Sequence, residues 1–315
     1  MAAPGPEDLA LILPGGGAWM FAQAWELITI FGARPDLIGK IRLIAANSAG
    51  SISAALLGAG MYQGKGTQVL KDAMATVQRD SDVISPSIVE VTAAPLLHPI
   101  DGNRMLFGAL LGASVVDQQP LWDLLEKYAG GITTADLRAK CNFTVQARSF
   151  HSETGEGRVW EGYLANLPKK STAIEGVFKD HNGDSDGGPF DNCPADLAIQ
   201  TGFKRILIAY CGPEAPPTPT KVYWTDKSEP SRPIRKARQV VAGVVGALTQ
   251  MNEQVTAERL AAWEARGGEL AEAFPSQDAK MGSILDFSLA AQGPRVSAGI
   301  AAGQLALKQI AALGW

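Results

Sequence analysis

The sequence predicts an α/β fold, with a mostly parallel central sheet, helices on both faces and a helical C-terminal part. Three observations carry this. The runs "LALILP" (9–14), "IRLIAA" (41–46) and "KRILIAY" (204–210) are of strand length and show no polar alternation, as strands buried on both faces do. A helix of mostly strong formers, "AWMFAQAWELITIFG" (18–32), and a second buried helix, "SAGSISAALLGAGM" (48–61), follow the first two directly. Strand, helix, strand and helix thus alternate in the opening part of the chain, the pattern of a parallel sheet covered on both sides.

Each element has local support. Pro14 and three glycines close the first strand, Gly32 ends the first helix, and "ARPDLIGK" is the loop before the second strand. Residues 62–140 read as mainly helical, most clearly in "GTQVLKDAMATVQRD" and "QPLWDLLEKYAGG". Between those two lies an apolar stretch from "VTAAPLLHPI" to "MLFGALLGA". "NFTVQARSF" and "GRVWEG" flank "HSETGE" as a hairpin with a Gly-containing turn. "CGPEAPPTPTK" is a Pro-rich surface loop, after which Val241, Val244, Leu248, Met251 and Val255 form one apolar helix face. With no internal repeat, residues 1–315 are expected to be one domain. Its catalytic core would span 9–210, with a helical part over 232–315 packed on it.

Composition narrows the function. With 46% hydrophobic and 19% charged residues the chain is an ordinary globular sequence, and no run of about 18 apolar residues would cross a bilayer. A net charge of −4 supplies no electrostatic reason to bind nucleic acid. In the basic cluster "SRPIRKAR", Arg232, Arg235, Lys236 and Arg238 read as a solvated helix start, with a phosphate or headgroup contact as the alternative. Cys141, Cys193 and Cys211 are an odd set without metal-ligand spacing, so neither a disulfide framework nor a zinc site is expected. The expectation is a cytoplasmic protein with no cofactor and no bound metal.

Three stretches carry the chemistry: "PGGGA" after the first strand, "ANSAGS" after the second, and "DGGPFDNCP" (186–194) before the strand at 204–210. Loops at the carboxyl ends of adjacent parallel strands share one rim, where open α/β sheets bind ligands. Ser48 reads in two ways, as the cap of the following helix or as a nucleophile at a tight strand-to-helix turn. Such a turn tolerates only small neighbours, and Ala46, Ala49 and Gly50 are small. The N–H groups of Gly16, Gly17 and Ala49 could hold an oxyanion, since free N–H groups at a helix start favour negative charge. A serine needs a base. His98 lies in apolar "LLHPI" and His151 in the hairpin, while His181 lies in a polar loop. Asp186, followed by two glycines that let the backbone turn, is the better candidate and would make a two-residue machine without histidine.

These stretches resemble the patatin-like phospholipase family, lipid acyl hydrolases with a Ser–Asp dyad on an α/β sheet. The family pattern is a glycine-rich oxyanion loop, a G-x-S-x-G elbow and a later D-G-G followed by N-x-P. "GGGAWM" matches the loop and implies Gly15, Gly16 and Gly17 in it. "ANSAG" implies Ser48 as nucleophile, and "DGGPFDNCP" implies Asp186 as base, 138 residues on, with Asn192 and Pro194 at the family spacing. Looser similarity covers "QQPLWDLLEKY", the hairpin and "LDFSLAAQGPRVSAGIAAGQLAL". Two departures stand out. The elbow begins with Ala46 instead of Gly, and the loop carries Trp19 and Met20 where the family commonly has Arg then Gly. The resemblance implies hydrolysis of carboxylic ester bonds in a lipid or small ester, with transient contact with a membrane surface.

Rival readings remain at this point. Asp180, Asn182, Asp184 and Asp186 alternate like calcium ligands, yet the twelfth position counted from Asn182 is Cys193, a poor ligand. A catalytically impaired patatin-fold scaffold is the second rival. An α/β-hydrolase triad needs a histidine after its acid, and none follows His181. The apolar stretch Leu96–Leu111, with Met105, Leu106 and Phe107, is core, acyl pocket or lid.

Overall fold

The computed structural model describes residues 3–86, 116–151, 154–173, 183–213, 254–282 and 286–315. His98, His181, Asp180, Asn182, the Leu96–Leu111 stretch, the basic cluster at 232–238 and Val241 to Met251 lie outside the described residues.

The strands are β1 (Leu9–Leu13), β2 (Ile41–Asn47), β3 (Ser85–Pro86), β4 (Val116–Asp117), β5 (Thr144–His151), β6 (Gly157–Trp160), β7 (Asp184–Asp186), β8 (Arg205–Ala209) and β9 (Glu269–Ala273). Seven of them form one mixed, mostly parallel sheet in the order β6-β5-β2-β1-β8-β9, with β7 also paired to β5. β1 is parallel to both β2 and β8, β2 to β5, and β8 to β9, whereas β6 and β7 run antiparallel to β5. β3 and β4 make a separate small ladder.

The apolar runs lack alternation because both faces of the sheet are covered. Leu9, Leu11 and Leu13 enter a core shared with helices α1 (Met20–Ala33), α2 (Ala49–Tyr62) and α3 (Gln68–Thr76). The same core takes side chains from α4 (Gln119–Ala129), α5 (Thr134–Cys141) and α6 (Leu167–Ser171). Ala10 and Ile12 face the other way, against α8 (Ala195–Thr201) and the helix over residues 254–264. A short helix α7 (Gly188–Asp191) lies between β7 and α8. Each fully buried Leu or Ile contributes about 1.5–3 kcal/mol relative to exposure.

The C-terminal helix α9 (Leu289–Ala312) packs along α1 through glycines. A Cβ on Gly299 would lie 2.2 Å from the Ala22 carbonyl oxygen, and one on Gly303 2.8 Å from Thr29 Cβ. The buried Arg295 of α9 donates to the Met281 and Asp286 carbonyls at 2.7 and 2.5 Å, tying the preceding segment to the helix.

The sequence reading finds β1, β2, β5, β6 and β8 with α1 to α4. It does not find β7, read there as polar loop, or β9. β7 is a strand because β5 offers it a free edge, not because "DSD" favours extension. Among the described residues β9 pairs only with β8, so its "ELAEA" becomes an edge strand in the C-terminal part read as helical.

The approach of α2 to β1 is the tightest helix–strand contact near the site, because a Cβ on Gly50 would lie 2.0 Å from the Leu13 carbonyl oxygen. Gly50→Ala is therefore expected to destabilise the fold by at least about 1–3 kcal/mol. Gly32→Ala, at an exposed α1 position with nothing within 4 Å, should stabilise it by about 0.5–1 kcal/mol. Chemical denaturation of the two variants checks both signs.

Candidate active site

β2 ends at Asn47 and α2 begins at Ala49, so the whole reversal falls on Ser48, whose φ of 47° and ψ of −129° lie in a strained region for a residue with a Cβ. Ser48 occupies the N-cap position, but its hydroxyl makes no capping bond. The hydroxyl donates instead to Asp186 Oδ2. The turn is held from outside by Ser171, whose Oγ accepts the Ser48 N–H at 2.7 Å, and within the first turn of α2 the Ser51 N–H donates to the Ser48 carbonyl at 2.9 Å. Ala46, fully buried in the apolar core, shows that the methyl in place of the family glycine has room.

β5 brings Asp186 to this turn. Arg148 of β5 pairs with Asn47, and the next residue, Ser149, pairs with Asp186 of β7. β6 occupies the other edge of β5 at Ser149, so β7 continues the line of β2 beyond its end. The Asp186 N–H donates to the Ala173 carbonyl at 2.9 Å, and its Oδ1 accepts the Gly188 N–H at 2.7 Å. The two glycines after Asp186 have a steric reason, since a Cβ on Gly187 would lie 2.6 Å from Asn47 Oδ1 and one on Gly188 3.0 Å from Asp186 Oδ1. Burial raises the Asp186 carboxyl to about 6, partly opposed by the bonds from Ser48 and Gly188.

The glycine loop lies against both. A Cβ on Gly15 would lie 2.6 Å from Ser48 Cβ, and one on Gly16 2.3 Å from Cys211 Cβ, while Gly17 has a φ of 55°. Gly15 of this loop pairs with a side chain. Its N–H donates to Asn192 Oδ1 at 3.0 Å, and its carbonyl accepts from Asn192 Nδ2 at 3.4 Å. The N–H groups of Gly16, Gly17 and Ala49 find no acceptor among the described residues. Behind the loop, Gln23 Nε2 and Cys211 Sγ both donate to the Pro14 carbonyl, at 3.0 and 3.3 Å. Trp19 fills the place of the family arginine: its indole N–H donates to the Gly282 carbonyl at 3.1 Å, and its ring covers Gly212, where a Cβ would lie 2.7 Å away. Met20 is fully buried.

The other candidates lie apart. His151 Nδ1 is buried with no hydrogen-bond partner, and neither Ser48 nor Asp186 bonds to this histidine. Asp184, of the alternating acidic residues, is 1% exposed and paired with Lys170 at 3.1 Å and Arg158 at 3.4 Å. Its carboxylate therefore serves different partners from that of Asp186. No group of three or more His, Cys, Asp or Glu side chains among the described residues could hold a metal ion. Sequence reasoning missed Asn47, Arg148, Ser171 and Gln23. Of these, the polar Gln23 within "MFAQAWELI" was the one visible signal. No helix among the described residues is long and apolar enough to cross a membrane.

A strained serine bonded to a buried aspartate, on the rim of a mostly parallel sheet beside a glycine loop, is a hydrolase-like arrangement on an α/β scaffold. The family model described as patatin-like phospholipase matches residues 11–199, more than half of the chain, and the chain belongs to that family. Among solved structures it is similar to VipD from Legionella pneumophila, at 13% identity and a TM-score of 0.42, over 98% of this chain and 68% of that one. It is also similar to the type III effector ExoU, at 15% identity and a TM-score of 0.31, over 80% of this chain and 54% of that one. The ExoU–SpcU complex from the type III secretion system of Pseudomonas aeruginosa gives 15% identity and a TM-score of 0.26, over 81% and 52%. This chain thus spans about half the length of the ExoU chains. No curated protein shows a significant match.

A raised carboxyl binds its proton more tightly in the folded than in the unfolded chain. Its contribution to stability is complete below the unfolded value near 3.8 and is lost as pH rises through about 6. Asp186→Asn keeps an acceptor for Ser48 and removes the buried charge. The variant should be more stable than the parent at pH 8, by at most about 3 kcal/mol for a carboxyl moved from 3.8 to about 6. The gain should vanish toward pH 4, and melting curves at the two pH values measure it.

Proposed function

We propose that the chain is a serine acyl hydrolase of the lipase, phospholipase A or esterase type, cleaving carboxylic ester bonds of lipids through Ser48 and Asp186. The hydrogen bond from Ser48 Oγ to the buried Asp186 carboxylate, at a strained strand-to-helix turn, carries this reading.

In the first step Ser48 Oγ bonds to the ester carbonyl carbon, and its proton passes to Asp186. The N–H groups of Gly16, Gly17 and Ala49 hold the oxyanion, a role in which losing one donor typically costs about 10²–10³ in rate. Collapse breaks the bond to the alcohol, which takes the proton from Asp186 and leaves Ser48 acylated. Water then gives its proton to Asp186 and attacks the acyl carbon. A second collapse frees the carboxylic acid and returns the proton to Ser48. A base near 6 is ionised at neutral pH and still stronger than an ordinary aspartate, which suits it to both transfers. Every step uses groups of this chain. The substrate is a lipid or small ester, reached in the cytoplasm through transient contact with a membrane surface. Residues 1–315 act as one domain, in which β9 extends the sheet and α9 braces α1.

A fluorophosphonate probe, with the modified residue located by mass spectrometry, should label Ser48 in the parent and nothing in Ser48→Ala. Asp186→Asn should lose about 10²–10⁴-fold in ester turnover, because an amide cannot accept the proton. Folded protein with no label and no turnover, detergent included, overturns the hydrolase in favour of a scaffold. In the active parent, kcat/KM should rise with pH through about 6 and then level, following ionisation of Asp186.

A further inference from the structure

We propose that Asn192 is a positioning residue that locks the oxyanion loop to the segment carrying the proton acceptor. The proposal rests on the hydrolase reading above. A carboxamide presents a donor and an acceptor side by side, and Asn192 uses both on one residue. Its Oδ1 takes the Gly15 N–H at 3.0 Å, and its Nδ2 donates to the Gly15 carbonyl at 3.4 Å. A Cβ on Gly15 would lie 2.8 Å from that Oδ1, so the pairing depends on glycine there. Gly15 precedes the two N–H groups assigned to the oxyanion, Gly16 and Gly17. Fixing its peptide fixes where theirs begin.

The other end of Asn192 is anchored as firmly. Asp191 and Asp196, on either side of it in sequence, both take Arg148 Nη1, at 2.6 and 2.7 Å, with all three side chains at most 20% exposed. The Asp191 N–H donates to the Gly187 carbonyl at 2.8 Å, and the Gly188 N–H holds Asp186 Oδ1. Arg148 is paired with Asn47 in the ladder, and its own carbonyl accepts from Ser171 Oγ, which in turn receives the Ser48 N–H. Nucleophile, acid and Asn192 are therefore tied to one point on β5. The pairing with Gly15 extends this tie across to the loop after β1. Chemistry of this kind loses about a hundredfold for a 1 Å misplacement, so the link between the two loops sets how well the oxyanion is met.

Breaking the link should weaken what the site does in the transition state and leave substrate binding and the acid alone. Asn192→Ala is expected to lower kcat by about 10²–10³-fold, the typical effect of one lost oxyanion donor, with KM nearly unchanged. The pH midpoint near 6, which belongs to Asp186, should stay where it is. A trifluoromethyl ketone, which forms an oxyanion on the serine, should lose affinity by the same factor as kcat. Asn192→Leu, which keeps the size but loses both donor and acceptor, should show the same pattern and serves if the alanine variant does not fold. An unchanged kcat in either folded variant overturns the proposal, and so does a loss explained wholly by a smaller fraction of protein titrated by fluorophosphonate. Ser48→Ala and Asp186→Asn run alongside. If they keep full turnover the hydrolase itself falls, whereas if they abolish it and Asn192→Ala does not, only the positioning role falls.

Discussion

The chain passes from β2 to α2 through one residue, Ser48, and the surrounding structure is arranged to make that turn tolerable. A backbone at φ 47° and ψ −129° is costly for a serine, of order 1–3 kcal/mol, and persists only where neighbours over-determine it. Here Gly50 meets the Leu13 carbonyl, Ser171 takes the Ser48 N–H, and Asp186 takes the hydroxyl. Each contact comes from a different segment, so the elbow exists only in the assembled sheet. The glycine at 50 follows from the same crowding. So does the glycine at 15, which lies against the serine from the other loop.

Charge is apportioned as carefully as space. Arg148, Arg158 and Lys170 all lie on segments next to Asp186, and they form ion pairs with Asp184, Asp191 and Asp196. Among the described residues, Asp186 receives only neutral donors, the Ser48 hydroxyl and the Gly188 N–H. A guanidinium on that carboxylate would hold it low and make it a poor base. Burial without a cation leaves it at about 6. The proton affinity of this carboxyl is therefore set as much by where the cations are held as by what touches Asp186.

The glycine loop is anchored by an aromatic side chain. The family arginine is absent, and the indole of Trp19 instead reaches the Gly282 carbonyl and covers Gly212. That contact ties the loop to the segment that Arg295 holds against α9. The C-terminal part is joined to the glycine loop in this way, although it lies far away in sequence.

Much of this was legible before any coordinates. Apolar runs of strand length and the helices between them identify a covered parallel sheet, because burial on both faces leaves no room for alternation. Three short motifs in order single out Ser48, Asp186 and the glycine loop, because a tight turn and a glycine loop each admit few residue types. β7 was not legible, since "DSD" is extended only because β5 has an open edge there. Nor were Arg148 and Ser171, whose roles come from a register that places Asn47 and Asp186 on consecutive residues of β5. The destination of the Gly15 N–H also needed the fold, because a side chain 177 residues away takes it. Local sequence thus determined which groups could react and which turns could bend. The tertiary structure decided which of them meet, because strand pairing and buried hydrogen bonds join segments that no local pattern connects.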